Sequence, residues 1–596
     1  MLLHLQPPRS LWTSIASETD LSSRYEVEEM LAQPETNESE PAWLVPTYGY
    51  RNDIAVVQND LPAELLQAIF KYSVSRRYAG DYIGKDLLPW EFPMVGRIQA
   101  TLTMVCKYWR AVALNTPELW TAISPGWMDR RDVFDRAALM FLERARHLPV
   151  NIIVDKPGKA RGLDDFFRKM GPQLTSRLRS IYCRPLCDTF DWAFDFSAPC
   201  LESLSLQEDN VVRVVDLPLF QGHTPKLRYL SLTAMNWAPR NHAPSLTHLH
   251  LRMCAQSVDG RSDLITLLRS APALTDLVFS VSLLVGSTPD VPYVHLSTLR
   301  RLTFDAMQRD VVCELMKAVS VSKDASIRFQ GSQSLTDEMI TSSGPQLYLA
   351  NRSWTRMSIK FDPTETLCSV VVADTSAAFS GDFAVVIEHR DYHRYNERAR
   401  LWIRPPQLPF QGVRECWIIE NNDHDSMYTF AATGLRGMLE GLSDLETLVV
   451  CAWNCEVVLD ALSAPNEPRN GADVDARPIC PKLKTLSILA TSVRDLDRAL
   501  GIHGLRDRDE LRRDFERVVV SYLPGFHGPR PHASQLDEFF HGTVEYVDLV
   551  ECPAMELPEA CTTEAHVYWP KWTPHTVGLG RITRVKSLGM RGPLDI

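Results

Sequence analysis

Residues 227–232 read LRYLSL, and this LxxLxL pattern decides the fold that the sequence predicts. It recurs as LESLSL at 201–206 and LTHLHL at 246–251, and with phenylalanine at the last position at 274–279 and 299–304. Such a short apolar alternation is typical of one strand, and the residues between copies return the chain as helix or loop. No single copy can bury its own apolar face, so the copies must stack on one another.

Further copies extend the predicted array in both directions. The first begins at Leu178 and the last near Val544, with clear copies from Leu445 and Leu483 and degenerate ones from Trp354 and Val413. Weaker candidates lie near Ile327, Ala384 and Phe515. Residues 263–269 and 310–316 have the composition of return helices. The sequence therefore predicts an α/β array with one strand plus a helix or loop per repeat.

A different kind of module precedes the array. Residues 60–74 predict a helix, with Asp60 as its cap and Pro62 in its first turn. A second helix is predicted over 98–114 with one continuous apolar face, and a third over 131–146, followed by a strand at 150–154. These helices carry more apolar surface than a small module can bury, so part of it should face a partner. An irregular insert at about 75–96 separates the first two helices.

Composition and charge exclude several function classes. The chain has 596 residues, a formal net charge of -11 and a pI near 5.8, which argue against nucleic-acid binding. No uncharged apolar run is long enough for a transmembrane helix, and the first residues do not read as a secretory signal, so we expect no membrane partner. Thirteen scattered cysteines predict reduced thiols in a cytoplasmic or nuclear protein.

Catalytic and metal-binding motifs are missing from the sequence. It contains no glycine-rich phosphate loop, no GxSxG and no HExxH. The pairs Cys183/Cys187 and Cys451/Cys455 each lack a second pair at zinc-finger spacing. We expect no enzymatic activity, no metal site and no cofactor.

Three blocks of the first module resemble an F-box: LPAELL at 61–66, VCKYWR at 105–110 and TPELW at 116–120. Together with the array, the chain resembles the F-box proteins with leucine-rich repeats that are common in mushroom-forming fungi. The insert at 75–96 departs from a short F-box, and the leucine-rich resemblance is weak after 305.

The resemblance implies an α/β architecture, with a three-helix F-box followed by an irregular leucine-rich-repeat solenoid. The implied organisation is a mostly disordered extension at 1–55, an F-box at 56–125, a linker helix and repeats at 126–560, and a tail at 561–596. The implied function is that of a substrate-recognition adaptor of an SCF-type ubiquitin ligase. The F-box would bind the Skp adaptor and through it a cullin, and the repeats would hold a protein target of unknown identity.

Candidate contact residues follow from these two roles. For the Skp adaptor they are Leu61, Pro62, Leu65, Ile69, Leu102, Val105, Cys106 and Trp109, some of which, Trp109 in particular, can equally belong to the core of the module. For the target they are Arg228, Tyr229, Thr247, His248, Arg300 and Arg301, each of which can also be ordinary surface. The alternative function is a leucine-rich-repeat scaffold whose F-box-like helices only cap the end of the array.

Overall fold

The computed structural model describes residues 61–75, 97–123, 131–154, 174–186, 195–208, 218–235, 238–252, 255–256, 258–280, 283–284, 293–330, 348, 352–362, 367–384, 386–388, 401–404, 412–420, 428–430, 432–462, 479–492, 496, 515–527, 540, 542–563, 569 and 572. The predicted extension at 1–55, most of the insert and the chain beyond 572 lie outside these residues. Two compact units divide the chain: residues 1–85 with 91–206, and residues 86–90 with 207–596. Their boundary falls inside the range predicted for the repeats.

The first unit opens with helices. They are α1 (Ala63–Ser75), α2 (Arg97–Met104), α3 (Lys107–Leu114), a 3-10 turn (Pro117–Trp120) and α4 (Arg131–Arg144). The helices predicted at 60–74 and 131–146 are confirmed within a few residues.

The single helix predicted over 98–114 is wrong, because the chain breaks between α2 and α3. Cys106 is extended and caps α3, with its Sγ accepting a hydrogen bond from the N–H of Trp109 at 3.4 Å. The continuous apolar face expected from the spacing is consequently split: Leu102 is buried and Val105 is exposed.

Aromatic side chains hold the helices of the first unit together. Phe70 of α1 is fully buried, and its ring lies 5.0 Å from that of Trp109 on α3. Trp120 is also fully buried, donates from Nε1 to the carbonyl of Ala113 at 3.0 Å and packs edge-on against Phe141 of α4 at 5.0 Å. The tryptophan of the TPELW block is therefore part of the core that joins α3 to α4.

Three strands and most of a fourth complete the first unit. They are β1 (Ala122–Ile123), β2 (Val150–Val154), β3 (Leu178–Leu186) and β4 (Ser203–Glu208). β1 pairs with β2, and β2 with β3, all in parallel. The N–H of Glu202, just before β4, donates to the carbonyl of Arg179 in β3 at 2.7 Å. The strand predicted at 150–154 is confirmed.

The second unit contains one large sheet, dominated by parallel pairs. Its thirteen strands among the described residues are β5 (Tyr229–Thr233), β6 (His248–Arg252), β7 (Asp276–Ser280), β8 (Arg301–Asp305), β9 (Ser326–Gln330), β10 (Arg356–Asp362), β11 (Leu367–Ala373), β12 (Ala378–Ala384), β13 (Glu415–Glu420), β14 (Thr447–Cys451), β15 (Thr485–Ser492), β16 (Arg517–His527) and β17 (Thr543–Asp548). Its helices are α5 (Val258–Ser270), α6 (Arg309–Ala318), α7 (Ala432–Glu440), α8 (Cys455–Leu462) and α9 (Glu559–Thr562). The return helices predicted at 263–269 and 310–316 correspond to α5 and α6.

The LxxLxL copies mark the strands correctly. β5 to β9 pair in chain order, all in parallel, and β13 to β17 do the same. Leu230, Leu249, Leu277, Leu302 and Ile327 stand in register on adjacent strands and are all buried. At the last position of the pattern, Phe279, Phe304 and Phe329 form a continuous stack of rings. Identical positions of successive copies thus build one apolar layer, as stacking requires.

The middle of the sheet does not follow the repeat. β10, β11 and β12 form an antiparallel meander that enters the sheet in reverse, so that β9 pairs with β12 and β10 pairs with β13. Between β11 and β12, one carboxylate oxygen of Asp374 accepts hydrogen bonds from the N–H groups of Ser376 and Ala377, which closes the turn. The strand predicted from the degenerate copy at 354 is present as β10, but the antiparallel meander that it begins was not predicted.

Short strands outside the large sheet pair among themselves. Ala255–Gln256 runs parallel to Leu283–Leu284, and Val294–Leu296 to Val319–Val321. Val386–Glu388, Leu401–Arg404 and Tyr428–Phe430 form a third group. In the part of the chain that the structure describes, every helix is too short or too polar to cross a membrane.

The end of the described chain folds back onto the sheet. This C-terminal segment, residues 551–563 with Trp569 and Trp572, covers the face opposite to the leucines. Its buried cluster contains Val371, Ala373, Ala378, Trp417, Ile419, Val449, Cys451, Leu489, Leu523, Met555, Cys561, Trp569 and Trp572. The implied organisation begins a C-terminal tail at 561, whereas Cys561 and Trp569 are fully buried.

Candidate functional site

An exposed apolar surface lies on the first helices of the first unit. This helical patch consists of Leu65, Ile69, Tyr72, Met104 and Val105, whose exposed fractions are 53, 45, 59, 43 and 43%. They are five of the nine large exposed hydrophobic residues in the described part of the chain. Scattered apolar residues on a surface need no explanation, whereas a concentration of this kind is a candidate interaction surface.

The spacing of the apolar residues along α1 places core residues on one side of the helix and patch residues on another. Leu66 and Phe70 are four residues apart and fully buried, whereas Leu65, Ile69 and Tyr72 recur at steps of four and three on an exposed side. α1 thus has two apolar sides, of which the fold of the unit covers one.

Polar contacts fix α1 against the rest of the module. The hydroxyl of Tyr108 donates to the carbonyl of Leu61 at 2.8 Å. Lys71 Nζ donates to Glu118 Oε1 at 2.5 Å, and this hydrogen bond lowers the pKa of the Glu118 carboxyl. The patch is therefore carried by a braced module, which reduces the ordering cost of binding.

The eight residues predicted to contact the Skp adaptor fall into three groups. Pro62, Leu65, Ile69 and Val105 are exposed; Leu61, Cys106 and Trp109 are half-buried; Leu102 is buried. The contact between Trp109 and Phe70 places Trp109 against the core of the module. Sequence reasoning missed Tyr72, which its position seven residues after Leu65 could have indicated, and Met104, which needed the break after α2.

The six residues predicted to contact a target lie along the starts of neighbouring strands in the second unit. Tyr229, His248 and Arg301 occupy the same register position on β5, β6 and β8, and Asp276 fills that position on β7 between them. Arg228, Thr247 and Arg300 directly precede these residues, and Thr275 precedes Asp276. The structure therefore brings all six together and adds two residues that the sequence analysis did not select.

Asp276 is the centre of a connected polar group. Its Oδ1 accepts from Arg301 Nη1 at 2.8 Å, and its Oδ2 lies 3.3 Å from Nε2 of His248. The ring of His248 lies 4.6 Å from that of Tyr229. Thr275 Oγ1 donates to Asp276 Oδ2 at 2.8 Å. The sequence did contain a signal for Asp276. In the copy at 274–279, it stands at the position that Tyr229 and His248 occupy in their own copies.

We expect Asp276→Ala to lower the free energy of unfolding by about 2 kcal/mol, because it leaves the half-buried Arg301 without its carboxylate. Urea unfolding of the full chain measures the loss. Asp444→Ala is the matched control: it removes an exposed carboxylate that pairs with Lys482, and its loss should be clearly smaller than that of Asp276→Ala. Equal losses for the two variants would contradict the structural role of Asp276.

On the face that carries Asp276, the next positions along the strands are buried. Ser231, His250 and Thr303 are buried, and Ser231 Oγ lies 2.9 Å from His250 Nδ1. The C-terminal segment covers the face farther along the sheet. The accessible part is consequently the edge where the strands begin, with Arg228 and Arg300 exposed.

The cysteines that the structure describes are free thiols, and most are buried. Burial raises the pKa of Cys455 to about 12 and that of Cys561 to about 11, so both are protonated at neutral pH. Within the described ranges, no three histidine, cysteine or acidic side chains come together in a metal-binding arrangement.

Comparison with known proteins gives no family assignment: neither a protein-family model nor a curated protein sequence matches this chain.

Proposed function

We propose that this protein is a substrate-recognition adaptor of an SCF-type ubiquitin ligase. The helical patch binds the Skp adaptor, Skp joins the protein to a cullin, and the leucine-rich repeats hold a protein target. The observation that carries the proposal is the helical patch, because Leu65 and Val105 of the patch lie in two of the three blocks that resemble an F-box.

The geometry of the first unit supports the docking role. Leu65, Ile69 and Val105 are exposed while Leu66 and Phe70 fill the core beneath them. A partner that covers the patch removes large apolar side chains from water, each worth about 1.5–3 kcal/mol when fully buried. The proposed mechanism needs no catalytic residue in this chain, since holding the target near the charged ubiquitin-transfer enzyme raises its effective concentration.

The second unit supports the target-binding role. Its strands follow the LxxLxL copies, and the residues between the leucines form a polar edge along β5 to β8. Parallel strands that begin at one edge present a row of side chains from successive repeats, which is the usual binding layout of repeat proteins. Free thiols suit the cytoplasm or nucleus, where we propose that the protein acts.

The alternative is a leucine-rich-repeat scaffold in which α1 to α3 only cap the array. A cap buries its apolar side chains against the repeats. The exposed fractions of Leu65, Ile69 and Val105 favour the adaptor instead, because the first unit leaves these side chains outside its own core.

Co-purification of the full chain with the Skp adaptor tests the proposal. We expect a stable 1:1 complex in size-exclusion chromatography at micromolar concentration. Two separate elution peaks, with a correctly folded chain by circular dichroism, would contradict the adaptor function and favour the scaffold.

A further inference from the structure

Basic residues recur at one position of the repeat in the second unit, directly after the leading apolar residue of the pattern. They are Arg228, Arg300, Arg414 and Lys484. Two of them have acidic neighbours on the next strand. Arg414 Nε lies 3.8 Å from Glu446 Oε1, and Lys484 Nζ lies 2.8 Å from Glu516 Oε1. At these two positions the array neutralises its own charge.

Arg228 and Arg300 have no such neighbour. Thr247 and Thr275 stand at the equivalent positions of the two strands between them, and neither arginine forms an ion pair with any residue that the structure describes. The threonine hydroxyl oxygens follow the row instead, with Thr247 Oγ1 at 3.1 Å from the carbonyl oxygen of Arg228 and Thr275 Oγ1 at 3.0 Å from that of Thr247. We name these four residues the arginine strip. Its two guanidinium groups remain exposed in a chain whose net charge is -11.

The carboxylate that lies within this row already has basic partners. Arg301, which follows Arg300, shares Asp276 with His248. Asp276 therefore pairs with Arg301 and not with Arg228 or Arg300. Arginine binds carboxylates with two parallel hydrogen bonds, which makes two exposed arginines in a fixed row a suitable acceptor site for acidic side chains.

Much of the same face farther along the sheet is covered and therefore not accessible to a partner. Farther along, Trp417, Val449 and Leu489 on the face opposite to the leucines are covered by the C-terminal segment. That segment extends as far as β9, where Cys561 Sγ contacts Ser326 Oγ at 3.3 Å and Trp572 lies under the guanidinium of Arg328 at 5.5 Å. The edge of β5 to β8 begins beyond these contacts.

We propose that the arginine strip binds an extended acidic segment of the target, with acidic side chains about four residues apart. Three strand spacings of about 4.8 Å separate β5 from β8, which places the two arginines about 14 Å apart. An extended peptide advances about 3.4 Å per residue, so acidic residues at positions i and i+4 match this distance. The inference rests on the proposed function, because it takes the bound segment to be the element by which the ligase recognises its target.

Fluorescence anisotropy with a defined peptide tests the strip. The probe is fluorescein-labelled Ser-Glu-Glu-Ser-Ser-Glu-Glu-Ser, and the reference peptide has glutamine in place of glutamate. We expect the full chain to bind the glutamate peptide at low salt, and Arg228→Ala/Arg300→Ala to weaken this binding about tenfold. Arg414→Ala/Lys484→Ala is the matched control, since it removes the same two charges from the same position of the repeat and should change the affinity less than about twofold.

The outcomes separate the strip from the adaptor function. Equal binding of the two peptides by wild type, or equal losses in the two double variants, would overturn the proposed strip. Binding to the Skp adaptor, measured on the same protein samples, should be unchanged by Arg228→Ala/Arg300→Ala. A chain that binds the acidic peptide but not Skp would retain the strip and overturn the ligase.

Discussion

We expect the replacement of Leu65 and Ile69 together by aspartate to reduce the proposed affinity for the Skp adaptor at least about 100-fold. Both side chains are about half exposed, so burial by a partner contributes about half of the 1.5–3 kcal/mol of a full burial for each, which corresponds to about 10- to 100-fold for the pair. The new carboxylates also lose hydration in the interface without a partner. Because both side chains are about half exposed in the chain alone, the variant should still fold.

The control for this variant is Leu139→Asp. Leu139 lies on α4 of the same unit, is 46% exposed and stands outside the helical patch. It should bind Skp within about twofold of wild type. Isothermal titration calorimetry measures all three proteins, and circular dichroism verifies their helix content. A double variant that keeps wild-type affinity would exclude the patch as the docking surface.

Trp569→Ala should destabilise the second unit by about 3–5 kcal/mol, the usual cost of removing a fully buried tryptophan. Trp569 packs against Trp572 at a ring distance of 5.1 Å, and its Nε1 donates to the carbonyl of Ala560 at 2.9 Å. The substitution leaves a cavity between the C-terminal segment and the sheet and removes this hydrogen bond. The shift of the urea unfolding transition of the full chain measures the effect.

Val550→Ala is the comparison for Trp569→Ala. Val550 is 92% exposed just ahead of the buried part of the C-terminal segment, and its truncation should change the free energy of unfolding by no more than about 0.5 kcal/mol. If Trp569→Ala has an equally small effect, the end of the chain is a loosely attached tail, as the sequence alone suggested, and its packing on the sheet is wrong.

The strands of the sheet could be predicted because their cause is local. Leucines at LxxLxL spacing require burial on one side, and the stacked copies supply it, so residues such as Leu230 and Leu277 mark strands without knowledge of their neighbours. The meander of β10 to β12 could not be predicted in this way. Its strands pair out of chain order, and pairing order is a property of the whole sheet.

The break between α2 and α3 and the packing of the C-terminal segment also could not be predicted, because both depend on contacts that the apolar periodicity does not reveal. The break between α2 and α3 depends on the cap that Cys106 forms, a weak local contact inside a sequence with continuous helical periodicity. The C-terminal segment was missed because its tryptophans lie among charged and proline-rich residues with no period. Their burial depends on Trp417 and Val449, more than a hundred residues earlier in the chain.

The sequence predicted which residues belong to the candidate surfaces more accurately than it predicted which of them are exposed. For the target edge, the positions between leucines were sufficient to select Tyr229, His248 and Arg301, but the bridging role of Asp276 needed the register of the strands. For the helical patch, the apolar residues were recognised as a set. Only the packing of Phe70 against Trp109 separates those that belong to the core.

The central claim is that the helical patch contacts the Skp adaptor, and site-specific photocrosslinking tests it most directly. The photoreactive amino acid p-benzoylphenylalanine is placed at Ile69 in one sample and at Leu139 in another, and each full chain is irradiated with purified Skp. We predict a covalent adduct with Skp from position 69 and none from position 139. No adduct from position 69, or equal yields from the two positions, would contradict the adaptor function.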